Sequence, residues 1–135
     1  MQLDPTAFLA DPELIAVLEK KAPPVVCDSE RVLFMQGDPP AGLYILRYGV
    51  ARLSMDSAAG KPIIYVTVSG GSLLGLPGLV ANQPYTLTAR AEAGAVVGFI
   101  PRDEFTALMQ SEPLLALKVL AVLAAEVRSA RNAIG

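Results

Sequence analysis

Histidine is absent from this chain, and cysteine occurs once, at Cys27. Zinc sites of histidine and cysteine, Ser-His-Asp or Cys-His nucleophilic pairs and histidine-ligated haem therefore have no ligands here. An iron–sulfur cluster needs several thiolates, and a disulfide within the chain needs two. One lone thiol suits a reducing compartment, and with no imidazole to activate it Cys27 reads as a small buried hydrophobe. A carboxylate-only metal site has no better footing, because Asp38, Asp56, Glu92, Asp103 and Glu104 show no ligand spacing. No cofactor and no catalytic residue is expected.

Basic excess is missing too. Eleven Lys and Arg stand against 13 Asp and Glu, a net charge of −2, and a surface for nucleic-acid phosphates needs clustered cations. Membrane signals are equally scarce. The N-terminal Met1-Gln2-Leu3-Asp4-Pro5 has neither the basic flank nor the apolar stretch of a signal peptide. The longest apolar stretch, 114–125, contains Lys118 and falls short of the about 20 residues that span a bilayer. A cytoplasmic protein is expected.

What is present is core. With 135 residues, 53 % of them apolar, the chain suits one well-packed domain. Asp4-Pro5 and Asp11-Pro12 each set a capping carboxylate before a proline suited to a first helical turn. Leu14, Ile15, Val17 and Leu18 then recur at helical spacing, which predicts a helix over 12–21 that Ala22-Pro23-Pro24 ends. From 25 to 100 the character changes to short runs of Val, Ile, Leu, Tyr and Thr between Gly, Pro, Asn and Asp. Strands are predicted near 31–36, 42–48, 49–55, 62–69, 85–91 and 95–100, a spacing that indicates a sandwich or roll. Within 85–91, Tyr85, Leu87, Ala89 and Ala91 alternate with Thr86, Thr88 and Arg90, as on one apolar and one polar face. A short helix is predicted over 101–110, with Asp103 and Glu104 in its dipole-compatible first turn. A longer one follows over 113–134, roughly 33 Å at 1.5 Å per residue. The fold class is mainly β with flanking helices: N-terminal helices (1–24), a β-roll of the double-stranded β-helix or jelly-roll kind (25–100) and C-terminal helices (101–135).

Two stretches carry a family likeness. One is Leu33-Phe34-Met35-Gln36-Gly37-Asp38-Pro39 followed by Leu43-Tyr44-Ile45-Leu46-Arg47-Tyr48-Gly49. The other is Gly71-Ser72-Leu73-Leu74-Gly75, then Leu76 to Val80, and Asn82-Gln83-Pro84-Tyr85-Thr86 leading to Arg90-Ala91. In order and length they resemble the strand, Gly-Asp turn and phosphate-binding cassette of the cyclic-nucleotide-binding domain of catabolite-activator-type (CRP/FNR) regulators. The resemblance implies a ligand site at Gly75, Leu76, Pro77, Gly78, Tyr85 and Thr86, whose short helix aims backbone N–H groups at a cyclic phosphate. It also implies that a glutamate for the ribose and an arginine for the phosphate belong at the positions of Leu76 and Tyr85. Losing the charged partner of a buried pair costs about 2–5 kcal/mol, roughly 30- to several-thousand-fold in affinity. The resemblance implies a non-catalytic regulatory sensor, whose pocket, altered from the usual cyclic AMP site, holds a cyclic nucleotide or another small ligand and signals through the last helix. The alternative is a ligand-free interaction module in which Tyr85 fills the site. By family position Ala130 and Arg131 lie where the base is met.

The last helix carries a heptad stripe, Ala116, Leu120, Leu123, Val127, Ala130 and Ile134, spaced 4, 3, 4, 3 and 4. A second stripe, Leu115, Val119 and Val122, lies beside it and gives way to Glu126 and Ser129. Two apolar sides need two covers: the roll for one and, as the resemblance implies, the same helix of a second copy for the other. A homodimer through this helix is expected. The residues run to Gly135 with no helix-turn-helix segment, so no DNA-binding domain is expected in this chain.

Overall fold

A computed structural model describes residues 2–134, with side chains for 2–133. The chain opens with a single 3-10 turn, Pro5–Phe8, because the Asp4 carboxylate accepts the Thr6 backbone N–H at 2.9 Å. Asp11 caps the next element in the same way, accepting the N–H groups of Glu13 (2.8 Å) and Leu14 (3.3 Å) at the start of α1, Pro12–Glu19. That helix stops two residues before the sequence pattern does.

Eight strands follow: β1 Val25–Val26, β2 Arg31–Phe34, β3 Gly42–Tyr48, β4 Val50–Asp56, β5 Pro62–Ser69, β6 Ser72–Leu74, β7 Thr88–Ala91 and β8 Val96–Pro101. All their pairings are antiparallel, in two sheets of order β1-β8-β3-β6 and β2-β7-β4-β5. Between β6 and β7 lies α2, Leu76–Ala81; after β8 come α3, Arg102–Ser111, and α4, Pro113–Ile134. This is the jelly-roll architecture with flanking helices.

Three strand expectations need correction. The first predicted strand ends at Phe34 rather than at 36, because Met35–Asp38 forms a turn in which the Asp38 carboxylate accepts the Met35 N–H at 3.0 Å. The strand predicted from Tyr85 begins only at Thr88. Thr88 is buried instead of on a polar face, since its hydroxyl accepts the Gln36 N–H at 2.9 Å. Two strands, β1 and β6, are too short to show a period of their own.

The two sheets are covered differently. In β5 burial alternates, with Ile64, Val66 and Val68 inside and their neighbours outside, the pattern of a sheet with one wet face. In β3, by contrast, nearly every residue is covered. Leu46 belongs to the roll interior with Phe34, Leu53, Leu74 and Tyr85. Leu43 and Ile45 point the other way, into a second cluster with Leu14 and Leu18 of α1, Phe105 of α3 and Leu115, Val119 and Val122 of α4. The helices therefore close one outer face of the roll, and α4 reaches back across it to the N-terminal turn, where the Ser129 hydroxyl accepts the Asp4 N–H at 2.7 Å. Lys118 ties α4 to the start of α1 through Asp11 (3.1 Å) and Glu13 (3.5 Å).

Candidate functional site

The cassette begins where β6 ends. Gly75 caps α2 in the left-handed conformation (φ 93°), and Pro77 sits in the first turn, where its missing N–H costs nothing. Asn82, also left-handed (φ 53°), closes α2 by donating its N–H to the Gly78 and Leu79 carbonyls. Gly78 packs under the Gln83 and Pro84 carbonyls, where an added Cβ would meet oxygen at 2.8 and 3.0 Å. The backbone frame implied by the resemblance is thus formed.

The side chains do something else with it. Leu76, where the resemblance expects a ribose-binding carboxylate, is fully buried and points into the helix-side cluster with Leu43, Leu73 and Ile100. It does not face the recess. Tyr85, where the resemblance expects a phosphate-binding arginine, is 3 % exposed and points into the roll. Its backbone is pinned to the turn after β2: Gly37 donates to the Tyr85 carbonyl, and Tyr85 donates to the Asp38 carbonyl, both at 2.9 Å. Its ring stacks on Phe34 with centroids 4.0 Å apart and planes at 20°. Its hydroxyl accepts the Gly42 N–H at 3.0 Å and donates to the Gly42 carbonyl at 2.7 Å. Every polar atom of this ring is satisfied inside the protein. Gly42 admits the close approach of neighbouring chain, its missing Cβ position lying 2.3 Å from the Ile100 carbonyl oxygen. The aromatic layer continues through Tyr44 (5.9 Å from Phe34) to Phe99 (4.8 Å from Tyr44). Burial, and after it the neighbouring Tyr85, push the Tyr44 phenol above its usual value.

What remains of a recess is a cavity of about 10 Å³. Gly75, Pro77, Gly78 and Thr86 line it from the cassette, with Phe8, Phe34, Leu53 and Leu87 as apolar walls and Glu126 closing it from α4. A single water needs about 10–15 Å³ of such volume and a drug-sized ligand several hundred. Among the described residues no Lys or Arg lines the recess. Arg47, Arg52 and Arg90 stand elsewhere. Arg47 reaches toward α1, 3.3 Å from Glu19, Arg52 pairs with Glu30 and Glu92 on the outer sheet face, and Arg90 is the cross-strand neighbour of Arg52 on that same face.

Glu126 is the residue that the sequence pattern passed over. It is 8 % exposed, and its Oε2 has no hydrogen-bond partner among the described residues. Burial pushes its carboxyl from 4.5 to about 8. The signal was its register: Leu115, Val119, Val122, Glu126 and Ser129 form the buried stripe of α4, so a polar residue continues the apolar side that the roll covers.

The heptad stripe lies on the other side. Leu120 and Val127 are each 51 % exposed; Ala116 and Leu123 are half-buried. With Arg128, Arg131 and Asn132, the residues Leu120, Leu123, Ala124 and Val127 form an open groove of about 850 Å³. Ala130 instead packs against the roll core, and Arg131 is exposed. The structure does not bring Arg131 to the cassette recess. The side chain of Ile134 lies outside the described residues. Among the described residues no group of three His, Cys, Asp or Glu is placed to hold a metal, and no single helix is long and apolar enough to cross a membrane.

Comparison with known proteins places this geometry. The family model of the cyclic nucleotide-binding domain matches residues 24–112. The chain belongs to the cyclic nucleotide-binding domain family. Among curated proteins it is similar to the lysophospholipase nte1 of Neurospora crassa, 27 % identical over 105 residues, covering 78 % of this chain and 7 % of that protein. Among solved structures it is similar to the catabolite activator protein of Thermus thermophilus (TM-score 0.78, 23 % identity, 97 % of this chain and 62 % of that one). It is also similar to the c-di-GMP-responsive global regulator CLP of Xanthomonas campestris (TM-score 0.71, 16 % identity, 87 % of this chain and 58 % of that one). The chain thus spans less than two thirds of each. By family it is a cyclic nucleotide-binding-type domain and by fold a jelly roll with flanking helices, and the likeness to the lysophospholipase covers a small part of that protein.

Proposed function

We propose that residues 1–135 act as one non-catalytic, cytoplasmic regulatory module that pairs through α4 and whose roll is closed by its own side chains. The observation that carries this reading is Tyr85. To admit a nucleotide, its ring must leave the Phe34 stack and both Gly42 backbone groups, which would then be buried without partners. Stranding such groups costs about 1–3 kcal/mol each. An entering phosphate would gain no guanidinium in exchange and would meet the Glu126 carboxyl. For α4, the support is its open apolar stripe, on which Leu120 and Val127 are each 51 % exposed, with Leu117 at 62 % and Leu114 at 75 % adding apolar surface farther round the same helix.

Calorimetry and thermal shift against cyclic AMP, cyclic GMP and cyclic di-GMP, read with light scattering, test both halves. The expected result is no heat and no shift at about millimolar ligand, with twice the chain mass. Binding in the micromolar range overturns the closed roll; a single-chain mass overturns the pairing.

One observation favours a second reading, a sensor whose small ligand signals through α4. The cassette backbone turns through left-handed Gly75 and Asn82 and packs tightly at Gly78, the glycine-based frame that the resemblance ties to a phosphate site. A ligand that moved α4 would have to bind one arrangement better than the other. A thermal-shift screen of neutral and cationic metabolites separates the readings, since a closed module responds to none.

A further inference from the structure

Glu126 occupies the middle of the face that α4 lays on the roll, in a recess whose lining is apolar but for Thr86 and where its Oε2 has no hydrogen-bond partner among the described residues. The recess walls come from the N-terminal turn (Phe8), β2 (Phe34), β4 (Leu53), α2 with its cap (Gly75, Pro77) and the segment before β7 (Thr86, Leu87). The charged groups on those same elements are Asp4, Arg31, Arg52, Asp56 and Arg90, and none of them lines the recess. On α4 itself Arg128 and Arg131 are exposed, and Lys118 is paired with Asp11 and Glu13. A neutral carboxyl tolerates such a place; a carboxylate without a partner does not.

The two halves of α4 are also anchored unequally. Before Glu126, Leu115, Val119 and Val122 are buried in the helix-side cluster. After it, contact rests on the Ser129–Asp4 hydrogen bond and the small side chains of Ala130 and Ala133. Detaching the second half therefore exposes far less apolar surface than detaching the whole helix.

We propose that Glu126 is a proton-operated latch: as the neutral acid it holds the C-terminal half of α4 on the roll, and as the carboxylate it lets that half go. Undocked, the carboxyl titrates near its ordinary 4.5; docked, at about 8. The docked state thus retains a proton that the undocked state has lost throughout that interval. Docking is fully favourable below about pH 4.5, weakens steadily as pH rises, and reaches its floor above about pH 8. Val127 and Ala130 of the heptad stripe lie on the half that is released, so pairing through α4 would inherit the same pH dependence. That consequence rests on the proposed pairing; the latch does not.

Hydrogen exchange of the whole chain, corrected for the intrinsic pH dependence of exchange, tests the latch at residues 126–133. Between about pH 6 and pH 9 the protection of these amides should fall at least about tenfold in the native protein and less than about twofold in Glu126→Gln. Parallel profiles in the two proteins overturn the proposal. Should Glu126→Gln not fold, a carbon-13 titration of the native carboxyl decides instead. A midpoint above about pH 6.5 supports the latch, and one near the ordinary carboxylate value overturns it. Light scattering at both pH values separates this from the pairing. A mass of one chain throughout removes the seam and leaves the exchange result to judge the latch alone.

Discussion

Around Tyr85 the roll interior stacks ring on ring and satisfies both backbone groups of Gly42, while along α4 Leu120 and Val127 each keep about half their surface open, at 51 %. The first region is where the family resemblance looks for a ligand, yet its remaining space is about 10 Å³. The second, apolar along Leu120, Leu123 and Val127 and edged by Arg128, Arg131 and Asn132, leaves a groove of about 850 Å³. The contrast teaches that a fold can keep the frame of a binding site and put its unsatisfied surface elsewhere. Here the interior is filled by the protein, and the open surface is the outward side of a helix.

Substitutions should break that contrast unequally. Tyr85→Ala removes the ring from the stack and opens a cavity, with an expected loss of about 3–5 kcal/mol in chemical denaturation. Should that loss be under about 1 kcal/mol, the interior is not closed by this residue. Gly75→Ala comes next. Its Cβ would lie 2.7 Å from the Tyr85 ring at a φ of 93°, and the combined strain and crowding are expected to cost about 2–4 kcal/mol. Tyr85→Phe keeps the stack and deletes only the hydroxyl, so about 1–3 kcal/mol should go as the Gly42 groups lose their partner. The gap between the alanine and phenylalanine variants sharpens the account by separating ring from hydroxyl. On the open region, Leu120→Glu should change the folding of a single chain by about 0.5 kcal/mol or less, while shifting the mass from paired to single in light scattering. An unchanged mass there would leave the groove unexplained by pairing.

Much of the fold was legible because its cues are local. Asp11-Pro12 marks a helix start by a carboxylate reaching the Glu13 and Leu14 N–H groups, and no distant residue is needed. The span of α4 was equally plain from its periodicity and Pro113. The stretch from Tyr85 to Leu87 misled because alternation there mimics a strand. In the structure Tyr85 is held by Gly37 and Asp38, from a turn nearly 50 residues earlier. The cassette positions were legible from their glycines and spacing, but not what fills them. Leu76 turns toward the helices and Tyr85 toward the roll, a choice set by which cluster has room. Glu126 was visible only as the place where an apolar stripe stops.

The residues alone decided the helix starts, the roll class, the length of α4, and the absence of histidine and of a disulfide within the chain. These follow from composition, capping and short-range periodicity, which act over a few residues. Only the tertiary structure decided that the recess is nearly filled, that Arg47 and Arg52 are paired elsewhere with Arg90 beside Arg52, and that a carboxyl on α4 is buried against the cassette. Those outcomes depend on groups far apart in the chain competing for the same small volume, and packing settles that competition.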